Sequence, residues 1–392
     1  MPGPAAEPLP PASGAWQDGD PAGRRRWVSL AEPLALEAGG ELTGVRIAYE
    51  TWGRLAPDAS NAVLLLHALT GDSHAAGPAG PGHPTAGWWD GLIGTGRALD
   101  PDRWFIVAPN VLGGCQGSTG PAARRPDGRR WGSSFPVLTQ RDQVAAEARL
   151  ADLLGIERWA LVAGGSMGGM RALEWAVGHP RRTGALLVLA APAAATARQL
   201  ACTQVQLAAI RADPGWRGGD YHDAGPGRGP HTGLGIARRL AHLTYRGRAE
   251  LEHRFGRAAQ PGEDPWHGGR RQVESYLDHH AAKLVRRFDA GSYVVLAEAM
   301  NHHDIGRARG GTAAALARIT APAVIAGVDS DELYPPPLQA RLAAAVPGAE
   351  HRVIASPHGH DGFLIETAQV SRMVHDLLGP PAPPTGRWSG GG

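Results

Sequence analysis

The sequence predicts an α/β fold with a mostly parallel central sheet. Two observations carry that reading. Short, continuous apolar runs of strand length recur along the chain and alternate with amphipathic stretches. The rhythm breaks once, over residues 191–310, where the pattern is mostly helical, and then resumes. Regular alternation implies a parallel sheet with covering helices, and a single break implies one helical insertion.

Residues 1–26 are rich in Pro, Gly and charge and predict a flexible N-terminal tail. Residues 45–51 alternate as a half-buried strand does, and 62–67 and 105–108 are apolar runs of buried-strand length. Residues 141–154 read as a helix that leads into a strand at 158–163, followed by a helix at 170–177 and a strand at 185–190. Inside 191–310, Gly/Pro-rich interruptions fall near 213–235 and 256–269. Strands return at 323–328 and 351–355, and 379–392 is a second flexible tail. The expected organisation is a core of 27–190 and 311–378, with 191–310 inserted where such a core carries a lid.

Composition narrows the function. The chain has 392 residues, 43% of them hydrophobic, enough for one large core. The net charge is +2 and no basic block stands out, which argues against nucleic-acid and membrane-surface partners. Lys283 is the only lysine. Two cysteines, Cys115 and Cys202, imply no disulfide framework and a reducing cytoplasm. The first residues have neither the basic start nor the apolar centre of a signal peptide, and no apolar run reaches membrane-spanning length.

Between the strand at 158–163 and the helix at 170–177 stands Gly164-Gly165-Ser166-Met167-Gly168-Gly169. A serine in G-x-S-x-G at a strand-to-helix corner is the nucleophile elbow of the α/β-hydrolase fold. The serine backbone is strained there, and the glycines let strand and helix close around it. The helix N-terminus adds a positive dipole beneath developing negative charge. Such a serine needs a base and a group to orient the base, in the chain order Ser, then Asp or Glu, then His. Asp329 and Asp331 both follow the strand at 323–328, and His358 and His360 both follow the strand at 351–355. The residues alone leave each pair open. The oxyanion hole is expected from the N–H groups of Met167 and of Leu69, just beyond the strand at 62–67.

Several segments together resemble one family, the homoserine O-acyltransferases. They are His67-Ala68-Leu69-Thr70-Gly71-Asp72-Ser73-His74, Gly87-Trp88-Trp89-Asp90, the block from Asn110 to Pro121, the elbow with Ala172-Leu173-Glu174-Trp175, Ala241-His242-Leu243-Thr244-Tyr245-Arg246, Arg287-Phe288-Asp289-Ala290-Gly291-Ser292-Tyr293, and Gly359-His360-Asp361-Gly362-Phe363-Leu364. The resemblance implies Ser166 as nucleophile, Asp331 as triad acid and His360 as base. It implies Arg238 on the substrate carboxylate and Asp361 on its amino group, a fixed cation and anion for a zwitterion. It also implies double displacement through acetyl-Ser166, acetyl-CoA as co-substrate with no permanently bound cofactor, L-homoserine as acceptor, and a homodimer through the lid helices. A succinyl donor, a serine acceptor and plain ester hydrolysis are the alternatives on the same scaffold. The tract Asn301-His302-His303-Asp304 and the pair His279-His280 depart from the family pattern. Adjacent side chains point apart, so neither pair implies a metal site, and none is expected.

Overall fold

A computed structural model describes residues 8–379. In chain order the strands are β1 (Arg26–Ser29), β2 (Leu34–Ala35), β3 (Glu41–Leu42), β4 (Arg46–Trp52), β5 (Ala62–Leu66), β6 (Phe105–Pro109), β7 (Leu161–Gly165), β8 (Leu186–Leu189), β9 (Ala323–Val328) and β10 (Glu350–Ile354). Eight of them form one sheet in the order β1-β4-β6-β5-β7-β8-β9-β10. β1 and β4 run antiparallel at one side, and every pairing from β6 to β10 is parallel. The mostly parallel α/β sheet is therefore as expected.

The helices are α1 (Gln140–Leu153), α2 (Met167–Gly178), α3 (Ala197–Ala212), α4 (His231–Tyr245), α5 (Arg248–Arg254), α6 (Gln272–Val285), α7 (Ala290–Asn301), α8 (Thr312–Leu316), α9 (Pro336–Ala345), α10 (Gly362–Ile365) and α11 (Thr367–Leu378). Their starts follow local chemistry. Thr139 and Asp142 form a capping box on α1, and a proline opens α9.

The central strands are buried on both faces, which is why they read as unbroken apolar runs. Their side chains alternate between two cores. Leu64, Leu66, Val162, Leu186 and Val188 face one, and Val63, Leu65, Leu161, Ala163 and Leu187 face the other. β10 is the exception. It lies at the sheet edge and carries exposed Glu350, His351 and Arg352, charges that blunt an open edge. Among the described residues no helix is long and apolar enough to cross a membrane.

Three expectations need correction. The strand expected at 158–163 is Leu161–Gly165, because the two glycines continue the extended backbone up to the serine. The helix expected from 170 starts at Met167, directly after that serine. The flexible N-terminal tail of 1–26 does not hold over its described part. Ala12 and Ala15 are buried, the Gly14 N–H donates to Phe288 O, the Trp16 N–H donates to Cys115 O, and Ser13 Oγ donates to Asp289. Composition misses this because backbone bonds and small side chains anchor the segment. The expected tail at 379–392 lies outside the described residues except for Gly379.

The helical stretch is inserted between β8 and β9 and closes on itself at its base. The Ala195 N–H donates to His303 O at 2.9 Å and the Ile305 N–H to Ala193 O at 3.0 Å. α3, α4, α5, α6 and α7 lie between those pairings.

Candidate active site

The parallel strands place their carboxyl ends together, and the chemistry gathers there, where open α/β sheets carry their sites. β7 delivers Ser166, β5 runs into Leu69, β9 into Asp331 and β10 into His360. Ser166 sits at φ 56°, ψ −123°, a conformation that L-residues rarely adopt. The corner is tight enough to require glycine. A Cβ on Gly168 would run into Leu66 O, and one on Gly164 would run into the Gly168 backbone. The N-terminus of α2 thereby packs directly against the end of β5.

His360 Nε2 lies 2.9 Å from Ser166 Oγ, and His360 Nδ1 lies 2.7 Å from Asp331 Oδ2. Asp331 Oδ1 accepts the N–H groups of Leu333 and Tyr334 at 2.8 and 2.9 Å, so the carboxylate cannot rotate away. The competing residues lie elsewhere. Asp329 Oδ1 accepts the Ser356 N–H at 3.0 Å and ties the loop after β9 to the loop after β10. His358 faces Glu250 at 3.3 Å and is part-exposed. Ser166, Asp331 and His360 are all buried. Tyr334, Phe363 and Tyr245 ring the imidazole at 5.3, 5.5 and 5.8 Å between centroids. Burial alone would lower the His360 pKa, but the Asp331 carboxylate outweighs it, aided by Asp361, and the net shift is upward.

Ser166 and His360 open onto a cavity of about 190 Å³ that Leu69, Thr70, Arg238, Arg287 and Asp361 also line. Arg238 donates to Thr70 Oγ1 at 3.3 Å, while its Nε is buried without a protein partner. A buried guanidinium N–H left unpaired is costly and marks a place for an anion. Asp361 is less free than its sequence position suggests, because Arg246 Nε lies 3.4 Å from its carboxylate. Burial raises the Asp361 pKa against the opposing pull of Arg246, His360 and Arg238.

Arg287, not singled out from the sequence, donates to Thr70 O at 3.0 Å and brings a second guanidinium into the cavity. Its signal in the sequence is its place at the head of the segment Arg287–Tyr293 that carries the resemblance, two residues before Asp289, the N-cap of α7. Behind the elbow, buried Arg171 pairs with Glu147 and donates to His67 O at 2.6 Å. Trp175 Nε1 donates to the other Glu147 oxygen at 2.8 Å.

Among the described residues, Glu50, His74 and His83 are the only three with metal-ligand atoms all within 4.8 Å of one another. All three already hold hydrogen-bond partners. His83 Nε2 accepts the Arg24 N–H at 2.9 Å, and His74 holds Glu50 at 3.0 Å through Nδ1 and Pro78 O at 3.3 Å through Nε2. Two acceptors on one ring suit an imidazolium, and although burial pushes down the His74 pKa, Glu50 raises it overall. The trio has the chemistry of a buried ion pair, with Ser73 Oγ donating to the remaining Glu50 oxygen. The rings of His279 and His280 do not point apart as expected but meet edge to face at 5.4 Å between centroids, and His280 also packs on His242 and Tyr276.

Both the sequence and the fold have known relatives. A family model described as the α/β-hydrolase fold matches residues 61–367. The chain is 65% identical to the homoserine O-acetyltransferase of Thermobifida fusca, covering 94% of this chain and 97% of that one. It is 57% identical to the homoserine O-acetyltransferase of Clavibacter michiganensis, over 95% and 97% of the two chains. Among solved structures, the homoserine O-acetyltransferase from Bacillus anthracis superposes with a TM-score of 0.81 at 26% identity, covering 90% and 97%. An acetylester hydrolase from Corynebacterium glutamicum gives 0.78 at 28% identity, covering 91% and 96%. With an elbow serine in hydrogen-bond reach of a histidine that a carboxylate holds in turn, and with relatives of this identity along almost its whole length, the chain belongs to the homoserine O-acetyltransferase family of the α/β-hydrolase fold.

Proposed function

We propose that the protein transfers the acetyl group of acetyl-CoA to the hydroxyl of L-homoserine, through an acetyl-Ser166 intermediate, giving O-acetyl-L-homoserine and CoA. One observation carries this reading. The Ser166–His360 pair opens onto the same small cavity as the incompletely partnered Arg238 and the acidic Asp361. A simple ester hydrolase needs no such pair of charges, whereas an amino-acid acceptor does.

His360 Nε2 takes the Ser166 proton as Oγ attacks the thioester carbonyl. The oxyanion rests on the N–H groups of Met167 and Leu69. Collapse of the tetrahedral adduct breaks the C–S bond, and CoA leaves as a thiol with the proton from His360. Homoserine then binds with its carboxylate on Arg238 and its ammonium toward Asp361. Its hydroxyl gives a proton to His360 and attacks the acetyl carbonyl. The second adduct collapses by breaking the bond to Oγ, and His360 returns the proton to Ser166. Water is the competitor throughout, and a buried cavity that seats the acceptor hydroxyl favours transfer over hydrolysis.

No permanently bound cofactor enters this scheme, and its setting is the cytoplasm. Exposed Leu200 and Val205 on α3 and Ile236 and Leu243 on α4 support a homodimer through the insertion. Sedimentation velocity is expected to give twice the chain mass; a monomer at micromolar protein would remove that part of the proposal.

The test is release of CoA thiol from acetyl-CoA or succinyl-CoA, with L-homoserine, L-serine or no acceptor. Fast release is expected only with acetyl-CoA and homoserine. Release that is equally fast without acceptor would mean a hydrolase, the reading that the likeness to an acetylester hydrolase keeps in view. Arg238→Ala completes the test. Transfer to homoserine is expected to fall about 10²-fold or more in kcat/KM, the scale of losing one partner of a buried charge pair. Hydrolysis of p-nitrophenyl acetate should barely change.

A further inference from the structure

We infer that His67 is a positioning residue of the oxyanion hole, an imidazole that holds the Ala68–Leu69 peptide plane so that the Leu69 N–H faces Ser166. The inference rests on the double-displacement reading for what that plane does, and on geometry for how it is held. His67 is buried at the carboxyl end of β5. The backbone N–H of Val111, just beyond β6, lies 3.0 Å from His67 Nε2. A backbone N–H can only donate, so Nε2 carries the lone pair and the ring proton sits on Nδ1. His67 Nδ1 lies 2.8 Å from Ala68 O and therefore donates to it. The Gly71 N–H donates to the same oxygen at 2.9 Å.

Ala68 O and the Leu69 N–H belong to one planar, trans peptide, and they point in opposite directions. Fixing the oxygen with two donors therefore fixes the direction of the N–H. Ala68, Leu69 and Ser166 line one cavity. Donors on the carbonyl also polarise the amide and make its N–H a stronger donor. The preceding peptide is held as well, because His67 O accepts from Arg171, which Glu147 anchors. Burial and the Arg171 charge push the His67 pKa down to about 3, so the ring keeps its single proton across the working range. An apolar side chain could fill this space, but it could not accept from Val111 at one end and donate to Ala68 at the other.

Three variants separate the two bonds. His67→Asn retains a donor near the Nδ1 position, His67→Gln retains an acceptor near Nε2, and His67→Ala has neither. The readouts are the single-turnover acylation rate with acetyl-CoA and with p-nitrophenyl acetate, the affinity for a small alkylboronic acid that forms a tetrahedral adduct on Ser166, the homoserine KM, and Tm. His67→Ala is expected to lower acylation by either donor about 10²-fold, the scale of losing one oxyanion donor, with a parallel loss of boronate affinity and little change in homoserine KM. His67→Asn should recover at least a tenfold part of that loss and His67→Gln should not. If His67→Ala does not fold, the Asn and Gln variants decide alone. Equal impairment of those two, or losses that follow Tm, would overturn the inference. A flat His67 series beside an inert Ser166→Ala would leave the double-displacement reading standing, whereas an active Ser166→Ala would remove that reading itself.

Discussion

Ser166→Ala is expected to lower kcat for acetyl transfer by about 10⁴- to 10⁶-fold, because members of a triad act as a unit and the nucleophile cannot be replaced by its neighbours. The structure makes this a clean substitution. Ser166 sits at φ 56°, and alanine in that conformation is no worse placed than serine. The lost contact is the bond to His360, so the fold is expected to survive. Intact-protein mass spectrometry supplies the second measurement. Wild-type protein mixed with acetyl-CoA alone should gain one acetyl group, and the variant none. Substantial transfer by the variant would mean that homoserine attacks the thioester directly, without an acyl-enzyme.

Asp331→Asn is expected to cost about 10⁴-fold in kcat while leaving the geometry intact. The asparagine NH₂ group, turned toward His360 Nδ1, would favour the tautomer whose Nε2 carries the proton, and that nitrogen could no longer accept from Ser166. The pH dependence adds a signed test. His360 must be neutral to act as base, and its pKa is raised in the folded protein because Asp331 outweighs burial. Wild-type kcat/KM should therefore fall as pH drops through a value above that of an ordinary histidine. Removing the Asp331 charge leaves burial unopposed save for Asp361, so the residual activity should lose its acid limb at lower pH. An unmoved limb would mean that another group controls it.

Much of this was legible in the residues, for physical reasons. β9 is read to the residue, and β5 and β8 to within a residue or two at each end, because strands covered on both faces must be apolar throughout. The elbow was legible because only glycine tolerates the approach of α2 to β5. The order of Ser166, an acid and a histidine was legible as well. The choice between Asp329 and Asp331 comes from the resemblance alone, since both follow the same strand and only the turn after β9 decides which one faces His360. Arg287 heads one of the segments that carry the resemblance, but no periodicity assigns a role to a part-buried arginine whose partner is a backbone oxygen. The N-terminal segment escaped because its anchors, Gly14 and Trp16, bind through backbone amides that any sequence possesses.

The hydrogen bond from Ser166 to His360 spans 194 positions of the chain, and that separation has a consequence in time. A ribosome adding about 5–20 residues per second needs roughly 10–40 s to travel from the serine codon to the histidine codon. Throughout that interval the elbow can exist without its base, and β8 must wait for β9 while the whole insertion is made between them. The nascent chain therefore carries a hydroxyl no more reactive than any other. It becomes an acyl acceptor only when β10 docks on the edge of the sheet, so that reactivity is switched on by the last strand to be synthesised.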